Sequence, residues 1–278
     1  MNLLTFSGVV YAISALAGFL GALTGLGGGV VVTPALTLLL GVDLRFAMGA
    51  SLVSVIATSS GAAAAYVKEG FSNVRVGMFL EIATTLGAVA GAHLVSAVPT
   101  STLAVIFGLV LLYSAWASLH KMHEEQAACS DPLAARLRLD SSYPGPHGFI
   151  RYQVCRVKAG FGLMFGAGIL SGLLGIGSGA MKVIAMDQVM RIPFKASTTT
   201  SNFMIGVTAA ASAGVYLSRG YIEPGLAMPV MLGVLTGSLL GARHLMGART
   251  RALRLVFAGV VGLLAAEMIY NGVTGGLK

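Results

Sequence analysis

Residues 18–29 read Gly18-Phe-Leu-Gly-Ala-Leu-Thr-Gly-Leu-Gly-Gly-Gly29, and residues 168–179 read Gly168-Ile-Leu-Ser-Gly-Leu-Leu-Gly-Ile-Gly-Ser-Gly179. At an offset of 150, Gly18, Leu20, Leu23, Gly25, Gly27 and Gly29 fall on Gly168, Leu170, Leu173, Gly175, Gly177 and Gly179. The same offset pairs Ser51 with Ser201, Tyr66 with Tyr216, Gly70 with Gly220, Gly87 with Gly237, Gly91 with Gly241 and Phe107 with Phe257. No gap is needed over that span. An apolar composition inflates chance matches, but not among glycines held in one register. The chain is read as a duplication.

Composition fixes the solvent in which the repeats sit. Of 278 residues, 56% are apolar and 10% are charged, with a mean hydropathy of +0.84. A soluble domain carries roughly 25% charged residues. The chain is therefore expected to be a polytopic membrane protein, not a soluble enzyme, a disulfide scaffold or a disordered chain. Its 38 glycines show no collagen period; in a bilayer they permit close helix packing and broken helices. The net charge of +8 would suggest nucleic acid in a soluble protein. Here the basic residues sit in loops between apolar stretches, so cytoplasmic loop bias is the better explanation. No Lys or Arg precedes the first apolar run, so no cleaved signal peptide is expected.

Residues 1–42 contain no charged side chain. That is too long for a single crossing of about 20 residues, and the glycines at 25–29 interrupt it. The chain must break or turn back there. Apolar segments follow at 46–67, 74–98 and 102–119, then at 159–175, 180–190, 196–218, 224–243 and 254–272. The expected organisation is a first membrane repeat over 1–119, a cytoplasmic linker over 120–158 and a second membrane repeat over 159–278. Within the linker, Arg136–Leu139 and Tyr152–Val157 alternate in polarity around Asp140–Pro146, which reads as a β-hairpin. Both cysteines, Cys129 and Cys155, lie in this linker, and no disulfide is expected if it is cytoplasmic.

Charge orients the halves. If the first stretch of each half is a hairpin, re-entrant or crossing twice, each half crosses an odd number of times and the halves are inverted. A cytoplasmic linker then leaves 14 Lys and Arg inside and 3 outside (Arg45, Arg219 and Lys278). Parallel halves divide them 10 to 7. The positive-inside rule favours inversion, with both termini outward. The expected fold is all-α, with two inverted-topology repeats, each a glycine-broken hairpin plus three transmembrane helices. Such repeats with interrupted helices are characteristic of secondary transporters.

The breaks are the first candidate site. Irregular backbone at membrane depth must be buried in protein or line a wet cavity. The segments after the breaks, 30–41 and 180–190, are too short to span and read as half-helices. Thr33 and Pro34 read as an N-cap and a first helical residue. Free N–H groups near Gly27, Gly28, Gly29, Gly177, Ser178 and Gly179 could converge on one anion. The plainer alternative is that these glycines only allow helices to cross closely. Gly175–Ala180 formally fits a dinucleotide fingerprint, but no strand precedes it and no acid follows about 20 residues on; Asn202 stands near there.

Lys182, three residues past Gly179 in an apolar segment, is the sharpest single residue, because a lysine near the bilayer centre is functional or paired. It is expected to face the anion, against the alternative of pairing with Asp187 or Glu81. Glu81, whose repeat partner is Met231, is the candidate for proton coupling, against a plain interhelical salt bridge. Thr198–Asn202 opens a helix, and Ser51, Thr200, Ser201 and Asn202 are candidate ligands for sulfonate or carboxylate oxygens; small polar residues also serve packing. Arg45 and Lys195 hold equivalent positions before their helices and read as interfacial anchors. His120, His123, Glu124 and Glu125 read as a solvated turn rather than a metal site. No nucleophile–base pattern, P-loop or HExxH motif occurs, so neither catalysis nor a cofactor is expected.

The segment Gly18–Gly29 followed by Pro34, its echo Gly168–Gly179 followed by Lys182, and Thr200-Ser201-Asn202-Phe203-Met204 together resemble the sulfite exporter TauE/SafE family over nearly the whole chain. The chain departs from the family pattern at Ser178, where a glycine is common, and at Ile184, where a proline is common. The resemblance implies a bacterial or archaeal multi-pass permease of the cell (inner) membrane, acting on sulfite, thiosulfate, sulfoacetate or other organosulfonates. The resulting expectation is a secondary transporter, working as an exporter, in which one repeat rocks against the other around a small sulfur-containing anion. A passive anion channel and a non-transport assembly factor are the alternatives. Expected partners are the small anionic substrate and the bilayer, with no nucleic acid; a homodimer is compatible with the sequence.

Overall fold

The computed structural model describes residues 3–24, 28–68, 70–119, 131–145, 148–245 and 250–276. The first half comprises α1 (Leu3–Thr24), α2 (Gly29–Leu40), α3 (Leu44–Lys68), α4 (Val74–Leu94) and α5 (Thr100–Leu119). The second comprises α7 (Val157–Leu174), α8 (Gly179–Ile184) running into a π-helical turn (Ala185–Val189), α9 (Phe194–Ser218), α10 (Pro224–Leu245) and α11 (Thr250–Thr274). Between them lie α6 (Pro132–Arg136) and the strands β1 (Ser141–Gly145) and β2 (Gly148–Tyr152). The molecule is nearly all α-helical.

At 1.5 Å per residue, the 22 residues of α1 reach about 33 Å, enough for a hydrocarbon core, whereas the 12 of α2 reach about 18 Å and are not. By length and composition, α4 and α7 are both apolar enough to cross a membrane. Large apolar side chains point outward along the helices, among them Leu16, Ile82, Leu86, Leu109, Trp116, Leu163, Leu239 and Leu263. Water would penalise such a surface; lipid does not.

Helices equivalent at the 150-residue offset pack equivalently. α1 lies along α10, and their equivalents α7 and α4 lie along each other; α3 meets α9 and α5 meets α11. Glycines set the close crossings. A Cβ at Gly91 of α4 would run into the carbonyl of Ile169 on α7, and one at Gly172 of α7 into that of Ala88 on α4. Gly233 and Gly237 of α10 likewise sit on the carbonyls of Tyr11 and Ala15 of α1. Small residues thus bring backbones together where no hydrophobic force acts between helices. Gly49, near the start of α3, rests on the carbonyl of Tyr221, just past the end of α9. The amide of Asn73, which caps α4, donates to Thr200 Oγ1 near the start of α9 at 2.9 Å. α3 and α9 therefore run in opposite senses.

The linker departs from its sequence reading in register. Arg136–Leu139 is not a strand but the end of α6 and the turn after it. Asp131 accepts from the amides of Leu133 (2.9 Å) and Val157 (2.8 Å), and Pro132 opens the helix, so capping outweighs the alternation. The Val157 amide foremost holds the Asp131 carboxyl below the usual carboxylate range. The stretch read as a turn supplies the first strand: Ser141 pairs with Tyr152 and Gly145 with Gly148, antiparallel. Asn73 Nδ2 donates to the Leu139 carbonyl (2.8 Å) and to the Tyr152 hydroxyl (2.9 Å), pinning this unit to the start of α4. Burial raises the Tyr152 phenol. Cys155 is disulfide-bonded, against expectation; the other cysteine, Cys129, lies outside the described residues, as do His120, His123, Glu124 and Glu125.

Candidate functional site at the paired glycine breaks

The half-helices lie close to their sequence positions, Gly29–Leu40 and Gly179–Val189. Their starts differ from expectation in one respect. Thr33 and Pro34 do not cap α2: Gly28 holds the N-cap position and its carbonyl accepts from Val31 (3.1 Å) and Val32 (3.2 Å), so the helix begins a turn earlier. Pro34 lies inside the helix, where it has no N–H to donate. The Thr33 hydroxyl is buried without a partner.

Each break is held by the same bond. Ser51 Oγ donates to the Gly29 carbonyl at 3.1 Å, and Ser201 Oγ to the Gly179 carbonyl at 3.2 Å. These are equivalent pairs at the offset of 150. The two breaks approach one another at the α3–α9 crossing. A Cβ at Gly29 would strike Val55 and come within 3.9 Å of the Ile176 carbonyl; one at Gly177 would stand 3.1 Å from the same Val55 and 2.7 Å from Ile205. Val55 and Ile205 are themselves repeat partners.

The second break carries the more unusual backbone. Gly175 (φ 68°), Gly177 (φ 70°) and Ser178 (φ 43°) all adopt left-handed conformations. Ser178 does so without glycine's freedom; its hydroxyl donates to the Ala167 carbonyl at 2.8 Å and is used on α7. Tyr216 Oη donates toward the carbonyls of Gly172 (3.1 Å) and Leu173 (3.3 Å), two acceptors left over at the end of α7. Gly28, in an ordinary helical conformation, packs on Val234 and the Cα of Gly18, where a Cβ would not fit. Gly27 lies outside the described residues.

One turn past Gly179, Lys182 is fully buried at 0% exposure. Its ammonium donates to Thr208 Oγ1 of α9 at 2.5 Å. The Thr208 oxygen lies 2.6 Å from Glu81 Oε1 of α4, and Glu81 is 8% exposed. A hydroxyl has one proton. Having accepted from the ammonium, it donates to the carboxylate, so lysine and glutamate are joined through threonine. Thr85 Oγ1 adds a second donor to Oε1 at 3.2 Å, and Thr84 Oγ1 stands 3.4 Å from Thr208. Glu81 Oε2 is buried without a partner. Asp187 sits half-buried in the π-helical turn.

The other candidates divide. Ser51 and Ser201 stand at the breaks. Thr200 is engaged by the Asn73 amide, and Asn202 is half-buried on α9. Arg45 donates to the Val98 carbonyl (3.1 Å) and lies 5.9 Å from the Tyr221 ring centre, an anchoring role. Thr208 was not anticipated from sequence, where a threonine in an apolar helix has a bland reading. Its available signal is spacing: it follows Ser201 by seven residues, on the same helix face. The offset also exposes an asymmetry. Thr208 matches Thr58, but Lys182 matches Val32, Glu81 matches Met231 and Thr84 matches Val234. The charged cluster draws on both halves, on α4, α8 and α9, and its counterpart on α2, α3 and α10 keeps only the threonine among apolar residues.

The chain is 26% identical over 272 residues to the probable membrane transporter protein YunE of Bacillus subtilis, covering 95% of this chain and 98% of that one. It is 25% identical over 238 residues to the probable membrane transporter protein YdhB of the same organism, covering 84% and 87%. Against the probable membrane transporter protein MJ0441 of Methanocaldococcus jannaschii it is 25% identical over 267 residues, covering 91% of each. No solved structure matches the chain. The sulfite exporter TauE/SafE family matches residues 10–268, from within α1 to within α11 and across both breaks; the chain belongs to that family of membrane transporters.

Proposed function

We propose that the protein is a secondary transporter that exports a small sulfur-containing anion, such as sulfite, sulfoacetate or another organosulfonate, by alternating access. The observation that carries this reading is a fully buried lysine one turn beyond a glycine break, with the second break beside it at the α3–α9 crossing. A buried ammonium supplies the charge an anion needs. Asn202 and the first amides of α2 would supply hydrogen bonds to it, while Ser51 and Ser201 hold the breaks in shape through the Gly29 and Gly179 carbonyls. The family's description as sulfite exporters supports the substrate class.

In this reading the repeats are inverted, the linker is cytoplasmic and the protein sits in the cell inner membrane. The opposed directions of α3 and α9 support inversion, and the division of 14 basic residues against 3 supports the orientation. The disulfide at Cys155 pulls the other way, since persistent disulfides belong to oxidising compartments. The charge bias involves many more residues and favours a cytoplasmic linker. Export suits a negative-inside cell, where the potential drives an anion outward by roughly 2.3 kcal/mol per charge at 100 mV.

Flux from proteoliposomes loaded with labelled sulfite, thiosulfate, sulfoacetate, taurine or sulfate tests the proposal. Saturable efflux of a sulfur oxyanion, stimulated by the same anion on the other side, is expected. Unsaturable conductance would make it a channel. No flux from folded protein would remove the substrate class.

A further inference from the structure

We propose that Glu81, Thr208 and Lys182 form a proton-linked anion switch, so that anion binding takes up a proton. This rests on the transport reading above and adds to it the identity of the coupled ion.

The argument begins with how the lysine is neutralised. Its ammonium is bonded not to a carboxylate oxygen but to a hydroxyl, which is bonded to Glu81 Oε1. With Glu81 ionised, the charges cancel through Thr208 and the site has little pull on an anion. With Glu81 protonated, the ammonium is an unbalanced buried cation, and an anion is the group that balances it. Anion and proton therefore favour each other's binding, reciprocally. The unpartnered Oε2 is where the proton has room: a buried oxygen with no donor is the poorer half of a carboxylate and the natural atom to protonate.

The surroundings of Glu81 contain few competing charges. On α4 its neighbours are Thr84 and Thr85. From α9 the facing group is Thr208, and Lys195 and Arg219 lie at the two ends of that helix. From α7, Gly168 meets the carbonyl of Thr84, and Lys158 is exposed at the helix start. From α8 the facing group is Lys182, with Asp187 five residues further along. Arg75 and Arg138 meet at the exposed start of α4. Lys182 is thus the charge that Glu81 answers. Sulfite with one co-bound proton still leaves with a net negative charge, so a negative-inside potential continues to favour its export.

The test is calorimetric titration of purified wild-type protein with thiosulfate and with sulfoacetate, each in two buffers of different ionisation enthalpy. About one proton is expected per anion bound, with affinity weakening by up to about tenfold per pH unit as pH rises. Glu81→Gln should bind with no proton uptake and a flat pH profile. Should that variant fail to fold, Thr208→Val should weaken the proton linkage while Thr208→Ser keeps it, a contrast that a merely structural hydroxyl would not produce. Anion binding by wild type without proton uptake overturns the switch and leaves the transport reading standing. No binding of either anion by folded wild type overturns the switch, and the flux panel then decides separately whether the transport reading falls with it.

Discussion

Replacing Glu81 by methionine, the residue its repeat partner carries, leaves Lys182 buried at 0% exposure with a hydroxyl for company and no counter-charge. Removing one member of a buried pair typically costs about 3–5 kcal/mol. Replacing Lys182 by valine, as at position 32, strands Glu81 in the same way at 8% exposure and should cost a similar amount. The double variant Glu81→Met, Lys182→Val reproduces the apolar arrangement at the equivalent positions, Met231 and Val32. Substituting both members of such a pair by apolar residues is often neutral, or stabilising by about 1–4 kcal/mol. The two effects should therefore be strongly non-additive, with a coupling of about 3 kcal/mol or more. Equilibrium unfolding in mixed detergent micelles measures all four corners of the cycle. Additive losses, with the double variant as damaged as the two singles together, would refute the linkage of lysine and glutamate through Thr208. Transport should be lost in the double variant even where stability returns, which separates the pair's role in function from any role in folding.

Gly172→Ala places a Cβ against the Ala88 carbonyl at the α4–α7 crossing and should destabilise by about 1–3 kcal/mol, whereas Gly166→Ala, with nothing within 4 Å of its Cβ, should be neutral in the same unfolding assay. Asp131 is held below its ordinary range by the Val157 amide, so its contribution is present at neutral pH and lost as pH falls through that lowered value. Amide exchange at Leu133 and Val157 should accelerate there, and Asp131→Ala should show the faster exchange already at pH 7. Asn73→Ala removes the donors to Leu139 and Tyr152 and should release the linker hairpin. Protease cleavage within 131–156 would report it, with the membrane helices left intact.

The fold was legible where a rule depends on local sequence. Glycines in one register pointed to a duplication, helices equivalent at that offset pack equivalently, and the half-helix bounds fell within a residue or so of Gly29–Leu40 and Gly179–Val189. The misreadings came where two local rules compete. At Thr33-Pro34 the capping pattern was plausible, but the Gly28 carbonyl already starts the helix. At Arg136–Leu139 the alternation was real, but Asp131 and Pro132 impose a helix ahead of it. The site was legible only one residue at a time. Lys182 and Glu81 stood out because charge is rare in apolar segments. Nothing local joins them, because Thr208 becomes significant only when α4, α8 and α9 converge.

That convergence also bears on which parts of the molecule would move. The sequence divides into repeats at the linker, but the packing does not. α4 belongs to the first repeat and lies against α7 of the second, with Gly172 and Gly168 seated on its carbonyls; α10 lies against α1 of the first in the same manner. Backbone contacts this close are the hardest to part, since any separation opens a void that neither water nor lipid fills well. Rocking one sequence repeat against the other would tear both crossings. Rocking α1, α2, α3 and α10 against α4, α7, α8 and α9 preserves both. Glu81, Thr208 and Lys182 then travel together on one body, so their bond survives the motion and the anion's counter-charge goes with it. The seam falls between α3 and α9, where Ser59 meets Gly206 and Val55 meets Gly177. The two breaks adjoin at that seam, and alternating access would open it first on one side of the membrane and then on the other.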